Sequence, residues 1–346
     1  MVNLSNRRRV CVTAPNTVEI VSEALPQLAE GEALVEMIVA GVCGSDVHGA
    51  SGHHPIMKPP YFPGHEVVGR VVALTGSTAG IEVGDLVTPE PTLSCGTCKM
   101  CRTDRSNICE NLEFLGCGYR EGGMADVFSV PASRLHKIPA DFSLNAAVLI
   151  EPLATPVHAV RIAGGVHGKT VVILGCGTIG LMVLAAARAG GASKIIMTDM
   201  LESKRARALD FGADAVVDAA NSTVATDVRE LLGESADVVF DCVSVQSTVA
   251  TACEMADRGG SVVIVGVPTR DVTVPLPFLQ DHQMRLLGAA TYMPEDYAES
   301  IRILRDGWVN VDAMITNSYP LERAAEAFAA ASSGNEVKVL VTAAEA

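Results

Sequence analysis

The chain has 346 residues and a formal net charge of −14, and 49% of its residues are hydrophobic while only 4% are aromatic. The length favours two domains, and the composition is typical of an α/β protein rich in alanine, valine and glycine. An acidic chain is a poor partner for nucleic acid or an anionic membrane. The longest apolar stretch, 171–187, is too short and too rich in glycine to span a membrane. The basic run 7–9 precedes no sufficient apolar segment, so we expect no signal peptide and a cytoplasmic protein.

The N-terminal part of the chain predicts strands that end at a corner with several polar side chains. Between positions 10 and 39, short alternating runs are broken by proline and glycine, which is typical of antiparallel strands joined by turns. The segment 41–48 then ends a strand and opens a helical turn. We therefore expect Cys43, Ser45 and His48 to cluster at one strand-to-helix corner.

A metal site is predicted at this corner. His65 precedes a second apolar run, and a thiolate and an imidazole at the ends of neighbouring strands are two of the three protein ligands that a catalytic zinc needs. Taken singly, Cys43 is as well explained as a small buried hydrophobic residue and His65 as a core histidine. The third ligand is open between Glu66 and Glu151. Glu151 lies in an apolar stretch where an unpaired carboxylate would be costly, although an ordinary surface glutamate is the alternative.

Four of the ten cysteines are crowded together, as expected of metal ligands in a reducing compartment. Cys95, Cys98, Cys101 and Cys109 have the spacing CxxCxxCx7C. Four such thiolates close tetrahedrally around one zinc without an open position, which makes the site structural. An iron–sulfur cluster is the alternative, but nothing else in the sequence indicates electron transfer. The lobe 92–113 has few apolar residues, so metal binding should supply its folding free energy.

A dinucleotide-binding unit is predicted in the middle of the chain. The apolar run 170–174 is typical of a buried parallel strand, and a glycine turn, a helical pattern and a second strand, 194–198, follow it. The glycines allow a tight turn, a close pyrophosphate and close helix packing. Asp199 should bind the ribose of NAD and repel the 2′-phosphate of NADP, and the nearest cation in the sequence is Lys204. The predicted cofactor-binding residues of the turn are Gly175, Gly177, Thr178, Ile179 and Gly180.

Strands and helices alternate strictly between positions 156 and 288, which predicts a doubly wound parallel sheet. Val243 and Val267 lie at the carboxyl ends of strands, where such sheets bind ligands, so we expect them to contact the cofactor. The pattern changes after Tyr292, and the last elements are expected to complete the N-terminal domain. Those elements are helices at 294–306 and 321–331 and a strand at 337–341. The predicted strands of the sheet are 170–174, 194–198, 215–217, 237–240, 261–265 and 285–288.

These motifs, in this order, resemble the zinc-containing medium-chain dehydrogenases, in particular the sorbitol, butanediol and threonine dehydrogenase branch. The resemblance covers nearly the whole chain. It implies an α/β protein with a GroES-like, mainly antiparallel β catalytic domain at 1–155 and 290–346. A Rossmann domain at 156–289 is inserted, with the active site in the cleft between the two. The resemblance also implies NAD, one catalytic and one structural zinc per chain, and a homodimer or homotetramer joined through the cofactor domains.

The resemblance further assigns metal-site roles, residue by residue. Cys43, His65 and Glu151 match the ligands of the catalytic zinc. Glu66 matches the neighbouring acid that ligates zinc or exchanges with the water bound to it. Asp46 matches the acid that orients His65.

The implied reaction is the reversible oxidation of a secondary alcohol to a ketone, with the hydride passed to NAD and the hydroxyl acidified by zinc. The proton is expected to leave through Ser45, the nicotinamide ribose and His48. Two positions depart from the sorbitol branch. That branch tends to carry tyrosine and arginine in its polyol pocket where this chain has Gly49 and Thr291, so sorbitol itself is not predicted.

Two other hypotheses remain at this stage. A threonine or amino-alcohol dehydrogenase on the same scaffold would need a cation for the substrate carboxylate, and Arg120 and Arg285 are the candidates by default. A non-catalytic NAD-binding relative is the second. The joint presence of the expected zinc ligands and proton-transfer residues argues against it.

Overall fold

The computed structural model describes residues 6–54, 56–78 and 80–343. Contacts divide the chain into two compact units. One comprises Met1–Pro152 and Val311–Ala346, and the other comprises Leu153–Asn310. The first unit is thus discontinuous in sequence, with the second inserted into it.

The N-terminal part of the first unit is built from antiparallel strands. Strand β3 is central, because it pairs with β4 and β8, and nine of its eleven residues are buried. The strands are β1 (Asn6–Ala14), β2 (Thr17–Ala24), β3 (Glu32–Val42), β4 (Glu66–Leu74), β5 (Leu86–Pro89), β6 (Thr92–Leu93), β7 (Glu113–Phe114), β8 (Val127–Pro131) and β9 (Leu135–Lys137). The helices are α1 (Gly44–Ala50) and α2 (Leu144–Val148), with short 3₁₀ turns at Cys101–Thr103, Ser106–Ile108 and Ala132–Arg134.

The second unit contains a six-stranded parallel sheet in the order β12-β11-β10-β13-β14-β15. Its strands are β10 (Thr170–Leu174), β11 (Lys194–Asp199), β12 (Ala215–Asp218), β13 (Ala236–Asp241), β14 (Ala256–Ile264) and β15 (Arg285–Gly288). Its helices are α3 (Ile150–Ile162, which begins in the first unit), α4 (Thr178–Ala189), α5 (Glu202–Asp210), α6 (Val224–Leu232), α7 (Gln246–Met255), α8 (Leu276–Asp281) and α9 (Pro294–Arg305). Every residue of β10 is buried, as its apolar sequence predicts. No helix in the described ranges is long and apolar enough to cross a membrane.

The C-terminal segment returns to the first unit. It forms α10 (Val311–Met314), β16 (Ile315–Pro320), a 3₁₀ turn at Leu321–Arg323, α11 (Ala324–Ser332) and β17 (Lys338–Thr342). Strand β17 pairs antiparallel with β3, and β16 pairs parallel with β17. A seven-stranded sheet results, with the order β16-β17-β3-β4-β5-β9 and β8 attached to β3. The expected return of the C-terminal strand to the N-terminal domain is observed.

The second boundary lies later than the predicted position 290, since α9 belongs to the second unit. Pro294 begins this helix, and the buried carboxylate of Asp296 caps it by accepting a hydrogen bond from Met293 N at 2.7 Å. The same carboxylate lies 3.0 Å from His158 Nδ1 and accepts from Arg161 Nη2 at 2.8 Å. These buried contacts hold α9 against α3, so the expectation that this helix completes the N-terminal domain is wrong.

Candidate active site and metal centres

Cys43, His65 and Glu66 meet where the central strands of the first unit end. Cys43 follows β3 and caps α1, and Glu66 opens β4 opposite Gly41. A Cβ atom at Gly41 would lie 2.0 Å from Oε2 of Glu66, so glycine is what leaves room for the carboxylate. The sulfur, one imidazole nitrogen and one carboxylate oxygen all lie within 4.8 Å of one another. This is a donor set with the chemistry and spacing of a zinc site.

The side chain of Asp46 stands behind this cluster. One oxygen, Oδ2, accepts from Cys43 N at 3.0 Å, while the buried Oδ1 lies 3.7 Å from His65 Nδ1 and has no hydrogen-bond partner in the described part of the chain. Cys117 Sγ lies 3.7 Å from the same nitrogen. Burial opposes a charged imidazole, yet Cys117, Asp46 and Cys43 together raise the pKa of His65 well above its usual value. The pocket therefore has a negative potential, which suits a divalent cation.

Glu66 has a second partner that the sequence did not reveal. The ammonium of Lys338 on β17 is buried and donates to both carboxylate oxygens, at 2.7 and 2.6 Å, and to Val42 O at 3.3 Å. Burial disfavours the ammonium, but Glu66, Cys43 and Glu151 supply enough negative charge to raise the pKa of Lys338. Glu151 is buried near this lysine and does not belong to the compact three-residue cluster.

We expect Lys338→Met to lower the free energy of unfolding of the metal-free chain by about 3–5 kcal/mol, because it leaves the buried Glu66 carboxylate without its partner. Thermal unfolding in the presence of a chelator measures the loss. Lys137→Met is the matched control, because Lys137 forms an exposed pair with Asp85. Equal losses for the two variants would contradict a stabilising role of the buried Lys338–Glu66 pair. The double variant Lys338→Met with Glu66→Gln should recover stability, because it removes both charges.

The proton-transfer candidates lie on α1. Ser45 is half-buried, whereas His48, one helical turn further along, is exposed. Gly49 follows in a crowded position, because a Cβ atom there would lie 2.6 Å from the hydroxyl of Tyr61 and 2.9 Å from Met57 Cε. Tyr61 in turn donates to Asp46 O at 3.0 Å. Tyr61 therefore fills the space beside Gly49, which explains why this position has glycine and no larger residue.

The four cysteines of the lobe come together as their spacing predicts. Sγ–Sγ distances are 3.5 Å for Cys98–Cys101, 3.8 Å for Cys98–Cys109 and 3.4 Å for Cys95–Cys109. Backbone amides point at the sulfurs, including Cys101 N to Cys98 at 3.4 Å. Hydrogen bonds from Thr97 lower the pKa of Cys95 to about 5, while desolvation and the neighbouring thiols raise that of Cys101 to about 11. Thiols this close, with amides that stabilise thiolates, fit a tetrahedral zinc.

Cys101→Ser should lower the melting temperature or the solubility of the protein before it affects the chemistry. The lobe is held by two-residue strands and 3₁₀ turns, so loss of a ligand removes metal-coupled folding energy. Thermal unfolding and zinc content per chain, compared with the wild type, measure the effect. An equally stable variant that still binds the second zinc would contradict a structural role.

The glycine turn has the shape that a dinucleotide needs. Gly175 has φ +96°, and a Cβ atom at Gly180 would lie 1.9 Å from Gly175 O, so both positions require glycine. A Cβ atom at Gly177, the N-cap of α4, would meet nothing within 4 Å. The space over the helix N-terminus is therefore open, as a pyrophosphate requires. Thr178 and Ile179 open the helix behind it.

Asp199 ends β11 with its carboxylate already oriented. Oδ2 accepts from Cys176 N in the glycine turn at 2.9 Å, and Oδ1 accepts from Leu201 N at 2.9 Å. Arg205 is the cation that contacts this segment, whereas the sequence indicated Lys204 as the nearest one. Its Nη1 donates to the carbonyl oxygens of Asp199 and Met200.

The two valines predicted at the cofactor lie at the carboxyl edge of the sheet. Val243 and Val267 are 43% and 53% exposed there, which is unusual for valine beside a buried sheet. Asp241 fixes the first of them, because its buried Oδ1 accepts from Val243 N at 2.9 Å. Exposed apolar side chains at this edge fit contacts to a bound nucleotide.

Comparison with known proteins agrees with this chemistry. The model of the alcohol dehydrogenase GroES-like domain matches residues 29–140, and that of the zinc-binding dehydrogenase matches residues 178–306. Sorbitol dehydrogenase from Ovis aries is 30% identical over 95% of this chain and 94% of its own length. L-idonate 5-dehydrogenase from Vitis vinifera is 32% identical over 94% of this chain and 91% of its own. The chain belongs to the zinc-binding alcohol dehydrogenase family, in its sorbitol dehydrogenase-like branch.

A solved structure of a zinc-binding dehydrogenase from Sinorhizobium meliloti 1021 bound to NADP resembles the whole chain. The TM-score is 0.91 at 31% identity, covering 98% of this chain and 99% of that one. The predictions of the family, the α/β fold class and the enzyme class are confirmed. As a member of this family, the chain is a zinc-binding alcohol dehydrogenase.

Proposed function

We propose that this protein oxidises a secondary alcohol of the polyol, sugar or cyclitol type to a ketone with NAD⁺, and that the reaction is reversible. The observation that carries this proposal is the cluster of half-buried Cys43 with buried His65 and Glu66. Beside it lies an oxygen of Asp46 that has no hydrogen-bond partner in the described ranges. Such a donor set binds zinc in a catalytic rather than a structural manner, because it has fewer than four protein ligands.

Cys43 and His65 would hold the zinc, with Glu66 or Glu151 as the third ligand. When bound, zinc polarises the alcohol hydroxyl and NAD⁺ accepts the hydride. The partnerless oxygen of Asp46 lies 3.7 Å from His65 Nδ1, so its negative charge acts on the imidazole without a direct hydrogen bond. Lys338 neutralises Glu66 when that carboxylate does not face the metal. The ion pair therefore stabilises Glu66 in its unligated position.

The hydroxyl proton needs a route to solvent, and α1 supplies it. Ser45 is half-buried and accepts the proton, and the exposed His48 releases it to water. Both residues lie on the short helix that Cys43 caps, so the route begins beside the metal ligands.

The substrate pocket differs from that of a sorbitol-specific enzyme. Gly49 stands where the sorbitol branch tends to carry tyrosine, and Tyr61 packs against it. The amino-alcohol alternative is not favoured, because Arg120 is paired with Glu32 and Arg285 lies exposed on the edge strand β15. A neutral polyol or cyclitol therefore fits better than an amino acid.

We also propose a cytoplasmic homodimer or homotetramer. Strand β15 is the edge of the parallel sheet, and its Leu286 is 38% exposed. An exposed apolar edge strand is a surface for pairing with a second copy. The clustered free thiols of the lobe fit a reducing compartment.

The experiment is a panel of secondary alcohols, polyols, cyclitols and threonine, followed by NADH absorbance, with zinc content measured on the same protein. Turnover of a neutral polyol with two zinc ions per chain is the expected result. Turnover of threonine alone would overturn the substrate class. The panel should be run with NAD⁺ and NADP⁺, because the Sinorhizobium relative binds NADP.

A further inference from the structure

Two aspartates end neighbouring strands at the carboxyl edge of the parallel sheet. Asp199 ends β11 and Asp218 ends β12, and the two residues are direct partners in the register of these neighbouring strands. Adjacent strands are about 4.8 Å apart, so both acids border the same small region. Only Asp199 was expected there from the sequence.

Arg205 on α5 links the two strand ends. Its Nη1 donates to Asp199 O at 2.8 Å and to Met200 O at 2.9 Å, and its Nη2 lies 3.2 Å from Asp218 Oδ2. The other oxygen of Asp218 accepts from Ala220 N at 2.9 Å. The guanidinium side chain is 16% exposed and that of Asp218 is 33% exposed. Arg205 is thus held by main-chain carbonyls and by one carboxylate that water can reach.

We propose that Asp218 is a second specificity-determining residue for NAD against NADP, and this inference rests on the proposed use of a nicotinamide cofactor. Its carboxylate adds a negative charge beside the ribose position of the cofactor. It also occupies the guanidinium of Arg205, the group best suited to bind a 2′-phosphate. Asp199 repels the phosphate, and Asp218 withholds the cation that would bind it.

The two acids therefore act differently. Loss of Asp199 alone leaves a neutral Arg205–Asp218 pair, which neither repels nor strongly attracts a phosphate. Loss of the Asp218 charge removes the carboxylate that pairs with Arg205 Nη2, so the guanidinium can turn its N–H donors at that nitrogen to a phosphate. Asparagine at 218 keeps an oxygen that accepts from Ala220 N, so the strand end should keep its shape.

The test compares Asp218→Asn with the wild type and with Asp199→Ala and the double variant. Fluorescence titration gives Kd for NADH and NADPH without any alcohol present, and kcat/KM for both cofactors is measured beside it. Asp218→Asn should lower Kd for NADPH relative to NADH by about tenfold, and the double variant should exceed either single variant. Asp210→Asn is the control. Asp210 is exposed and ends α5, the helix that carries Arg205, so this variant removes one negative charge elsewhere and should leave the ratio of the two Kd values unchanged.

The role of Asp218 would be overturned if the ratio of Kd for NADPH to Kd for NADH were unchanged in Asp218→Asn, or if Asp210→Asn changed it equally. Such a result leaves the dehydrogenase proposal intact provided that the wild type binds NADH and oxidises an alcohol. A wild type that binds neither cofactor would instead overturn the proposed function. Circular dichroism and zinc content show that each variant is folded.

Discussion

Replacing Cys43 by serine, or His65 by alanine, is expected to abolish turnover while the protein stays folded. Each change removes a donor from the cluster whose ligand atoms lie within 4.8 Å of one another. Metal polarisation of the reacting oxygen is worth several kcal/mol, so kcat should fall about 10³-fold or more. Folding should survive because the four-cysteine cluster Cys95, Cys98, Cys101 and Cys109, the candidate structural zinc site, shares no ligand with this one.

The measurement is kcat together with zinc content and the melting temperature. Cys253→Ser is a matched thiol-to-hydroxyl control, because that cysteine lies on α7 of the other unit. Zinc content should fall from two to one per chain in the Cys43 and His65 variants and stay at two in the control. Near-normal kcat at stoichiometric zinc in either variant would show that the cluster is not the catalytic site.

Features fixed by neighbouring residues could be predicted from the sequence. The strand, glycine turn, helix and acid of the cofactor unit follow one another within 30 residues, and each has a local cause: a buried β-branched run, a tight turn, an open helix N-terminus. The structure has them at Thr170–Leu174, Thr178–Ala189 and Lys194–Asp199. The cysteine lobe is equally local, since all four thiols lie on one short loop.

Features made by distant residues could not be predicted in the same way. Lys338 and Glu66 are 272 positions apart, and nothing in the pattern of a terminal strand indicates a buried ammonium. The domain boundary was missed for the same reason. The contact of Asp296 with His158 joins residues 138 positions apart and ties α9 to the second unit. The position of Asp218 could not be predicted from the sequence, because only the pairing of β11 with β12 places it beside Asp199.

Asp199 is expected to set the preference for NAD over NADP. A like-charge contact with a 2′-phosphate in a partly desolvated site should cost several kcal/mol, or about 10²- to 10³-fold in kcat/KM. Asp199→Ala should narrow that gap and also weaken the use of NAD. The second effect has a geometric part, because the carboxylate holds the amide of Cys176 in the glycine turn at 2.9 Å. Asp199→Asn keeps an acceptor for that amide, so it separates the charge from the geometry.

Adding Met200→Arg to Asp199→Ala should raise the use of NADP further. Met200 is 69% exposed and directly follows Asp199, and a guanidinium there can bind a phosphate in bidentate fashion. The measurement is kcat/KM for both cofactors in the wild type and in the three variants. Met200→Gln on the same background is the control for side-chain size without charge. A wild type that prefers NADP, or an Asp199→Ala variant with the wild-type ratio, would rule out the role of Asp199. If Asp199→Asn also retained the wild-type ratio, the charge of Asp199 would have no part in cofactor choice.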